Sequence, residues 1–281
     1  MDDLANRLRR STWLLAELPL HLRVGRELAR GIGRFTQFQG HWQMLVAEEA
    51  RAVVDRGEPL AGAVVLPAWN NPTSAAFCHR IAEMDLPQVW IGGVLEYPGK
   101  VVLHADNRAV GRMAAEHLLG LGLRRLAFYG NERPIFSRQR RAGFDAAAAE
   151  AGVDVLKAPV EQDAIRHVDQ TSEPELIHWL RECEGPIGIF ADNDIAAVRL
   201  NIACRLAGLH IPEDAAIIGV DNDEVRCCAA MPMLSSIETG FDRLGFHAAQ
   251  LVDRMQQGEA IDPQVIRFPP IGVIARGSTD Q

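Results

Sequence analysis

Ala215-Ala216-Ile217-Ile218-Gly219-Val220 is an uninterrupted apolar run, and it stops abruptly at Asp221-Asn222-Asp223-Glu224. Six residues with no polar alternation read as a strand covered on both faces, which is the mark of a parallel sheet. The pattern repeats outward in both directions. Ile187–Ala191 is a second such strand, and the helical stretch Asp194–Ala207 separates the two. Further back, Leu126–Gly130 is a strand flanked by helices over Arg108–Leu121 and Arg138–Ala151, the former started by Asp106 or Asn107 as an N-cap. Downstream lie Leu234-Ser235-Ser236-Ile237, a helix over Phe241–Gln256, then Val265–Phe268 and Gly272–Ile274.

The first part of the chain has the same rhythm. Thr12–Ala16, Gln43–Ala47, Gly62–Pro67, Gln88–Gly92 and Val101–His104 read as strands. Val24–Phe38 is a helix with Leu28, Ile32 and Phe35 at helical spacing, and a second helix runs over Ser74–Met84. Apolar strands alternating with helices give sheets covered on both faces, and two successive runs give two doubly wound Rossmann-like α/β lobes. A chain of 281 residues suits two lobes that each bury a core. The expected division places 11–104 with 241–268 in one lobe and 105–240 with 269–281 in the other.

Composition narrows the class. With 48% hydrophobic and 23% charged residues the chain is globular. No apolar stretch approaches the ~18–20 residues that span a bilayer, so no membrane partner is expected. Met1–Arg10 is polar and mixed in charge, unlike a secretory signal, so a cytoplasmic location is expected. The five cysteines have neither disulfide-framework nor zinc-site spacing. The formal charge of −8 offers no basic footprint for nucleic acid.

In open parallel sheets the ligand sits beyond the carboxyl ends of the strands. There the sequence places Glu17, Asp106, Asp192-Asn193-Asp194 and Asp221-Asn222-Asp223, with Arg138 and Arg140 opening the helix after Tyr129-Gly130. Carboxylates accept from vicinal hydroxyls, guanidinium groups donate a fork of hydrogens, and amides do both; together they suit a neutral polyol. Phe136 is a candidate platform for a sugar's apolar face. Simpler roles stay open beside these: Asp106 as an N-cap, Asp192 or Asp194 capping the next helix, Asp221 as turn chemistry, Arg138 on a solvated face.

No glycine-rich phosphate loop, no Gly-x-Ser-x-Gly elbow and no histidine metal motif is present, so no cofactor, no metal and no enzymatic activity are expected. Asp221-Asn222-Asp223-Glu224 lacks the spacing of a calcium loop. Cys227-Cys228, being adjacent, does not form a Cys-x-x-Cys redox pair and is expected on a helix.

Several stretches resemble the effector-binding part of xylose-operon-type transcription regulators of the AraC family, whose sensor domain is of the lac-repressor type. They are Val24–Phe35, Asp106–Leu118, Phe136–Phe144, Ala191–Asp194, Ile217–Glu224, Leu234–Ile237 and Pro269–Asp280, spread along a likeness that covers nearly the whole chain from about Ser11 onward. The resemblance implies a type I periplasmic-binding-protein-like fold. Three segments would cross between the lobes, near His104-Ala105, Glu238-Thr239-Gly240 and Phe268-Pro269. It also implies a small sugar, D-xylose or a related pentose, held by Arg140, Asn193 and Asp221, joined by Asp106, with Phe136 at the family's aromatic position. Glu17 and Arg138, from the strand-end pattern, and Thr239, at a crossing, are further candidate contacts. The family's aromatic at the place of Val24 and its arginine shortly after Asp194 are missing here, and the first strand ends in Glu17-Leu18-Pro19-Leu20.

The same likeness implies a homodimer that switches by lobe closure. It would reach DNA only through a helix-turn-helix region that is expected to be absent from this chain. Two other classes stand beside this one. A solute-binding protein of a sugar transporter would share the fold, and a glycosidase-like enzyme would turn over activated glycosides.

Overall fold

The computed structural model describes residues 13–39, 42–67, 71–92, 98–159 and 174–280. These fall into two units, which the chain enters and leaves three times, at 105/106, 239/240 and 268/269. The first unit takes the residues up to Ala105 together with Gly240–Phe268; the second takes Asp106–Thr239 together with the residues from Pro269.

In the first unit, β1 (Trp13–Glu17), β2 (Gln43–Val46), β3 (Leu60–Val65), β4 (Gln88–Ile91), β5 (Val101–Ala105) and β11 (Val265–Phe268) form one sheet in the order β11-β5-β4-β3-β1-β2. Every pairing in it is parallel. Alternate residues of β1 serve opposite faces. Leu14 and Ala16 pack with α1 (Arg23–Gln39) through Leu28, Ile32 and Phe35, and with α9 (Phe241–Gln256) through Leu244, Ala248 and Val252. Leu15 joins the other face, where α2 (Ala47–Asp55) contributes Ala50 and Val53 and α3 (Pro72–Ala82) contributes Phe77, Cys78 and Ile81. This two-sided burial is why the strands show no polar alternation.

The second unit repeats the plan. Its strands β6 (Leu126–Tyr129), β7 (Val155–Lys157), β8 (Ile187–Ala191), β9 (Ala215–Val220), β10 (Ser235–Glu238) and β12 (Gly272–Ile274) are ordered β12-β10-β9-β8-β6-β7. Only β12 runs antiparallel, against β10. One face carries Phe128, Phe190, Ile218 and Val220 against α4 (Asn107–Gly120) and α5 (Ile135–Glu150). The other carries Ala127, Ile189 and Ile217 against α6 (Pro174–Glu182) and α7 (Asp194–Ala207). Helices α4 and α5 approach so closely that a Cβ at Gly111 would lie 1.9 Å from the Arg140 carbonyl oxygen, and one at Gly143 2.0 Å from that of Arg108. Glycine at both contacts lets the two backbones touch, and this sets the height at which Arg140 leaves its helix.

Three elements escape the sequence reading, α2, β7 and α6, while the short α8 (Glu224–Ala229) is the helix expected around Cys227-Cys228. Helix α2 follows β2 directly, so Ala47 begins a helix rather than ending a strand. Helix α5 starts at Ile135 instead of Arg138, which brings Phe136, Ser137, Arg138 and Arg140 into its first two turns. Thr12, expected to open the first strand, lies outside the described residues.

Candidate functional site

In each sheet the strand order reverses direction beside the first strand laid down, between β1 and β3 in the first unit and between β6 and β8 in the second. Such switch points leave a crevice outside the carboxyl ends of the strands. In the second unit Asp192, the residue after β8, reaches across that point. Its carboxylate accepts the main-chain N–H of Asn131, beyond β6, at 3.1 Å.

Arg140 projects from α5 into the same region and is 3% exposed. Its Nε donates to the side-chain oxygen of Asn107 at 3.0 Å, and another guanidinium nitrogen donates to the main-chain carbonyl of Asp192. The third faces Asp221 Oδ1 at 3.3 Å. The ring of Phe136, one turn back on α5, lies 5.0 Å from the guanidinium carbon. The planar fork is thus held by three partners from three segments and by an aromatic face, an arrangement lysine could not reproduce.

Asp221 and Asn222 form the turn after β9 with φ of 99° and 50°, a left-handed stretch in non-glycine residues that costs of order 1–3 kcal/mol unless its surroundings impose it. Many contacts impose it. Asn222 donates its amide to Glu238 Oε2 at 3.1 Å and accepts from Arg276 at 2.7 Å, while the N–H of Asp221 bonds the carbonyl of Ile237 at 3.0 Å. Arg276 also caps the carbonyl of Leu234.

Two carboxylates, Asp192 and Asp221, therefore lie near the guanidinium, and a third, Asp194, adds its charge beside Asp221. Burial pushes the Asp192 carboxyl up to about 6 against the opposing pull of the Ser137 hydroxyl and Arg140. Burial, reinforced by the negative Asp221, pushes Asp194 to about 7. A cluster with this excess of acceptors favours a ligand that brings hydroxyl donors and no negative charge of its own.

In the first unit the switch-point carboxylate is Glu17, 4% exposed at the end of β1. Its Oε1 accepts the Ser74 hydroxyl at 2.6 Å and lies 3.4 Å from Arg51. Its Oε2 is buried with no hydrogen-bond partner among the described residues. Burial, with Glu17 adding to it, pushes the nearby Cys78 thiol up to about 12.

Of the eight residues singled out by sequence, Arg140, Asp221 and Phe136 come together. Asp106 is the N-cap of α4, accepting the N–H of Ala109 at 3.0 Å. The capping residue of α7 is Asn193, which accepts the N–H of Ala196 at 2.9 Å, rather than Asp192 or Asp194. The carboxylates flanking it are free to face the cluster and the turn instead. Arg138 is exposed and tied to the carbonyls of Glu132 and Arg133, because it lies two residues from Arg140, on the opposite side of α5. Thr239 is buried at a crossing, its hydroxyl without a partner among the described residues. Asn107, Ser236 and Arg276 were not foreseen. Asn107 was legible only as a second choice of cap; the other two depend on contacts between segments distant in sequence. Cys227 is buried and Cys228 exposed on α8, the helix expected for both.

Two doubly wound units threaded three times by one chain, each with polar groups gathered after its strands, define a two-lobed binding-protein architecture. The chain belongs to the periplasmic binding protein-like domain family, whose model matches residues 115–279. It is 28% identical over 264 residues to the xylose operon regulatory protein of Haemophilus influenzae, an alignment that covers 91% of this chain and 67% of that protein. It is equally 28% identical over 266 residues to the xylose operon regulatory protein of Escherichia coli K12, covering 91% and 66%. The chain thus spans about two thirds of the length of these curated relatives. Among solved structures, the xylose-binding transcription activator superposes with a TM-score of 0.78 at 24% identity, over 97% of this chain and 70% of that one.

Proposed function

We propose that this chain is the effector-sensing part of a transcription regulator, and that its effector is a small neutral sugar, D-xylose or a related pentose. The carrying observation is the buried Arg140, held beside Asp221 and over Phe136 at the carboxyl ends of β8 and β9. Its fork donates to sugar oxygens, Asp221 and Asp192 accept from hydroxyls, and the Phe136 ring offers an apolar face. Asp106, Asn193, Thr239 and Arg138 complete the proposed contact set on the second unit, with Glu17 from the first. Glu17 Oε2 and the Thr239 hydroxyl, both buried without a hydrogen-bond partner among the described residues, are in this reading satisfied by the polyol. The relatives named above are regulators, which does not favour a transporter's solute-binding protein.

The switching step of this reading is closure of the two units on the sugar, which shifts a two-state population. It extends to a cytoplasmic homodimer that passes closure to DNA-binding regions. Calorimetric titration with D-xylose, L-arabinose, D-ribose and D-glucose tests the first step. D-xylose or a related pentose is expected to bind most tightly, with affinity falling by about tenfold or more in Asp221→Ala, as for loss of a buried charged partner. A folded wild-type protein that binds none of the four would overturn the reading.

A further inference from the structure

Asp194 is 2% exposed in the first turn of α7, yet it does not cap that helix. Its Oδ2 accepts the main-chain N–H of Asp223 at 2.6 Å, and its Oδ1 accepts the Ser236 hydroxyl at 2.6 Å. The Ser236 oxygen in turn accepts the N–H of Asn222 at 2.9 Å. One carboxylate therefore holds two successive amides of the turn after β9, the first through a hydroxyl relay and the second directly. These are the amides that follow the two left-handed residues, Asp221 and Asn222.

The sheet makes room for this carboxylate. A Cβ at Gly219 would lie 2.3 Å from Asp194 Oδ1, so β9 can carry only glycine opposite it. A buried negative group next to a second carboxylate, Asp221, is electrostatically unfavourable. An apolar side chain would fill the slot without that penalty but would take away the acceptor of the Asp223 amide and the acceptor that orients the Ser236 hydroxyl toward Asp194. What the carboxylate secures is the direction of Asp221, whose own Oδ1 then lies beside Arg140.

We infer that Asp194 is a positioning residue for the effector: with Ser236 it sets the left-handed turn that presents Asp221 to the ligand, and it makes no contact with the ligand itself. This role rests on the assignment of Asp221 to sugar contact proposed above. The groups facing Asp194 are Asp221 and Asp223 from the turn, Ser236 from β10 and Cys227 from α8. Proton uptake removes one of its acceptor sites, so the hold on the turn weakens as pH falls through about 7.

The test compares wild type with Asp194→Asn and, because a buried substitution can stop folding, with the milder Ser236→Ala. Hydrogen exchange, corrected for intrinsic rate, is followed in peptides covering Val220–Cys227 and, as a control, Ile187–Ala191. D-xylose is titrated calorimetrically from pH 6 to 8. Both variants should speed exchange at Asn222 and Asp223 by about tenfold, the effect of one buried hydrogen bond, with the control strand still protected. D-xylose affinity should fall by a similar factor. Wild-type affinity should weaken toward pH 6, with a flatter profile in Asp194→Asn; a merely structural lesion would lower affinity at every pH alike. Unchanged turn protection, or faster exchange with wild-type affinity and pH profile, would overturn the inference. Absence of D-xylose binding by the wild type would count against the effector reading. The exchange arm alone would then decide whether Asp194 sets the turn.

Discussion

Arg140→Ala removes the one cation from a cluster of acceptors, and the structure allows the loss to be sized. Two of its partners, the Asn107 side-chain oxygen and the Asp192 carbonyl, belong to residues each 3% exposed. Left without donors, such groups cost about 1–3 kcal/mol each. The Asp221 side chain is 24% exposed and recovers part of its hydration, so its share is smaller. The sum is about 3–5 kcal/mol, in the range for breaking one side of a buried ion pair. Equilibrium urea unfolding followed by circular dichroism should show the midpoint falling by roughly 1–1.7 M at an m-value of about 3 kcal/mol/M, with m unchanged. The deficit should shrink toward pH 6, where Asp192 takes up a proton and needs the cation less. Arg140→Lys should recover only a minor part, because an ammonium cannot span three acceptors. A midpoint for Arg140→Ala within about 1 kcal/mol of wild type, at equal m, would refute the claim that this side chain organises the second unit's polar rim.

Three further outcomes follow from the geometry. Gly111→Ala drives a methyl group into the Arg140 carbonyl and should destabilise by about 1–3 kcal/mol; Gly120→Ala, on the same helix with open space around it, should change stability by under about 1 kcal/mol, and equal effects in denaturant melts would contradict the close-contact argument. Asp192 and Asp194 hold their protons to about pH 6 and 7 in the folded state, above their ordinary range. Native protein therefore binds more protons than unfolded chain between about pH 4 and 7, and their contribution to stability is lost as pH rises through that window, by up to about 1.4 kcal/mol per pH unit for each proton. Asp192→Asn should flatten the dependence of the unfolding midpoint on pH between 5 and 7, and an unaltered slope would argue against burial as the cause. Ser74→Ala removes the hydroxyl donor at 2.6 Å from Glu17 and should cost the first unit about 1–2 kcal/mol, read as a thermal shift; no shift would mean that Glu17 is held by Arg51 alone.

The architecture was legible because burial on both faces leaves an unmistakable mark. Runs such as Ile187–Ala191 and Ala215–Val220 contain no polar residue, and their alternation with helices marks parallel sheets covered on both faces. The elements that escaped are short or weakly patterned: β7 is three residues, and α2 follows β2 without a turn residue between them. At the site, sequence could place Arg140 and Asp221 at strand and helix ends, since position along the chain fixes that. It could not tell Arg138 from Arg140, because only the true start of α5 decides which faces inward. Nor could it separate Asp192, Asn193 and Asp194, three consecutive polar residues with three different duties: cluster carboxylate, helix cap and turn anchor. Arg276 owes its role to a pairing made after the chain has travelled through the first unit, and Ser236 to contacts with Asn222 and Asp194 that are distant in sequence within the second.

The threefold passage of the chain has a consequence for synthesis. The face of the first sheet formed by Leu14, Ala16, Val64 and Leu103 is covered by α1 and by α9, and α9 emerges from the ribosome only after the main body of the second unit has been made. The strand that borders β5, β11, comes later still. The leading segment of the first unit is thus left with that apolar wall covered by α1 alone while the later-made unit already has most of its own strands at hand. Of the two units, the one begun earlier is the later to be sealed, and holding chaperones have their longest opportunity there.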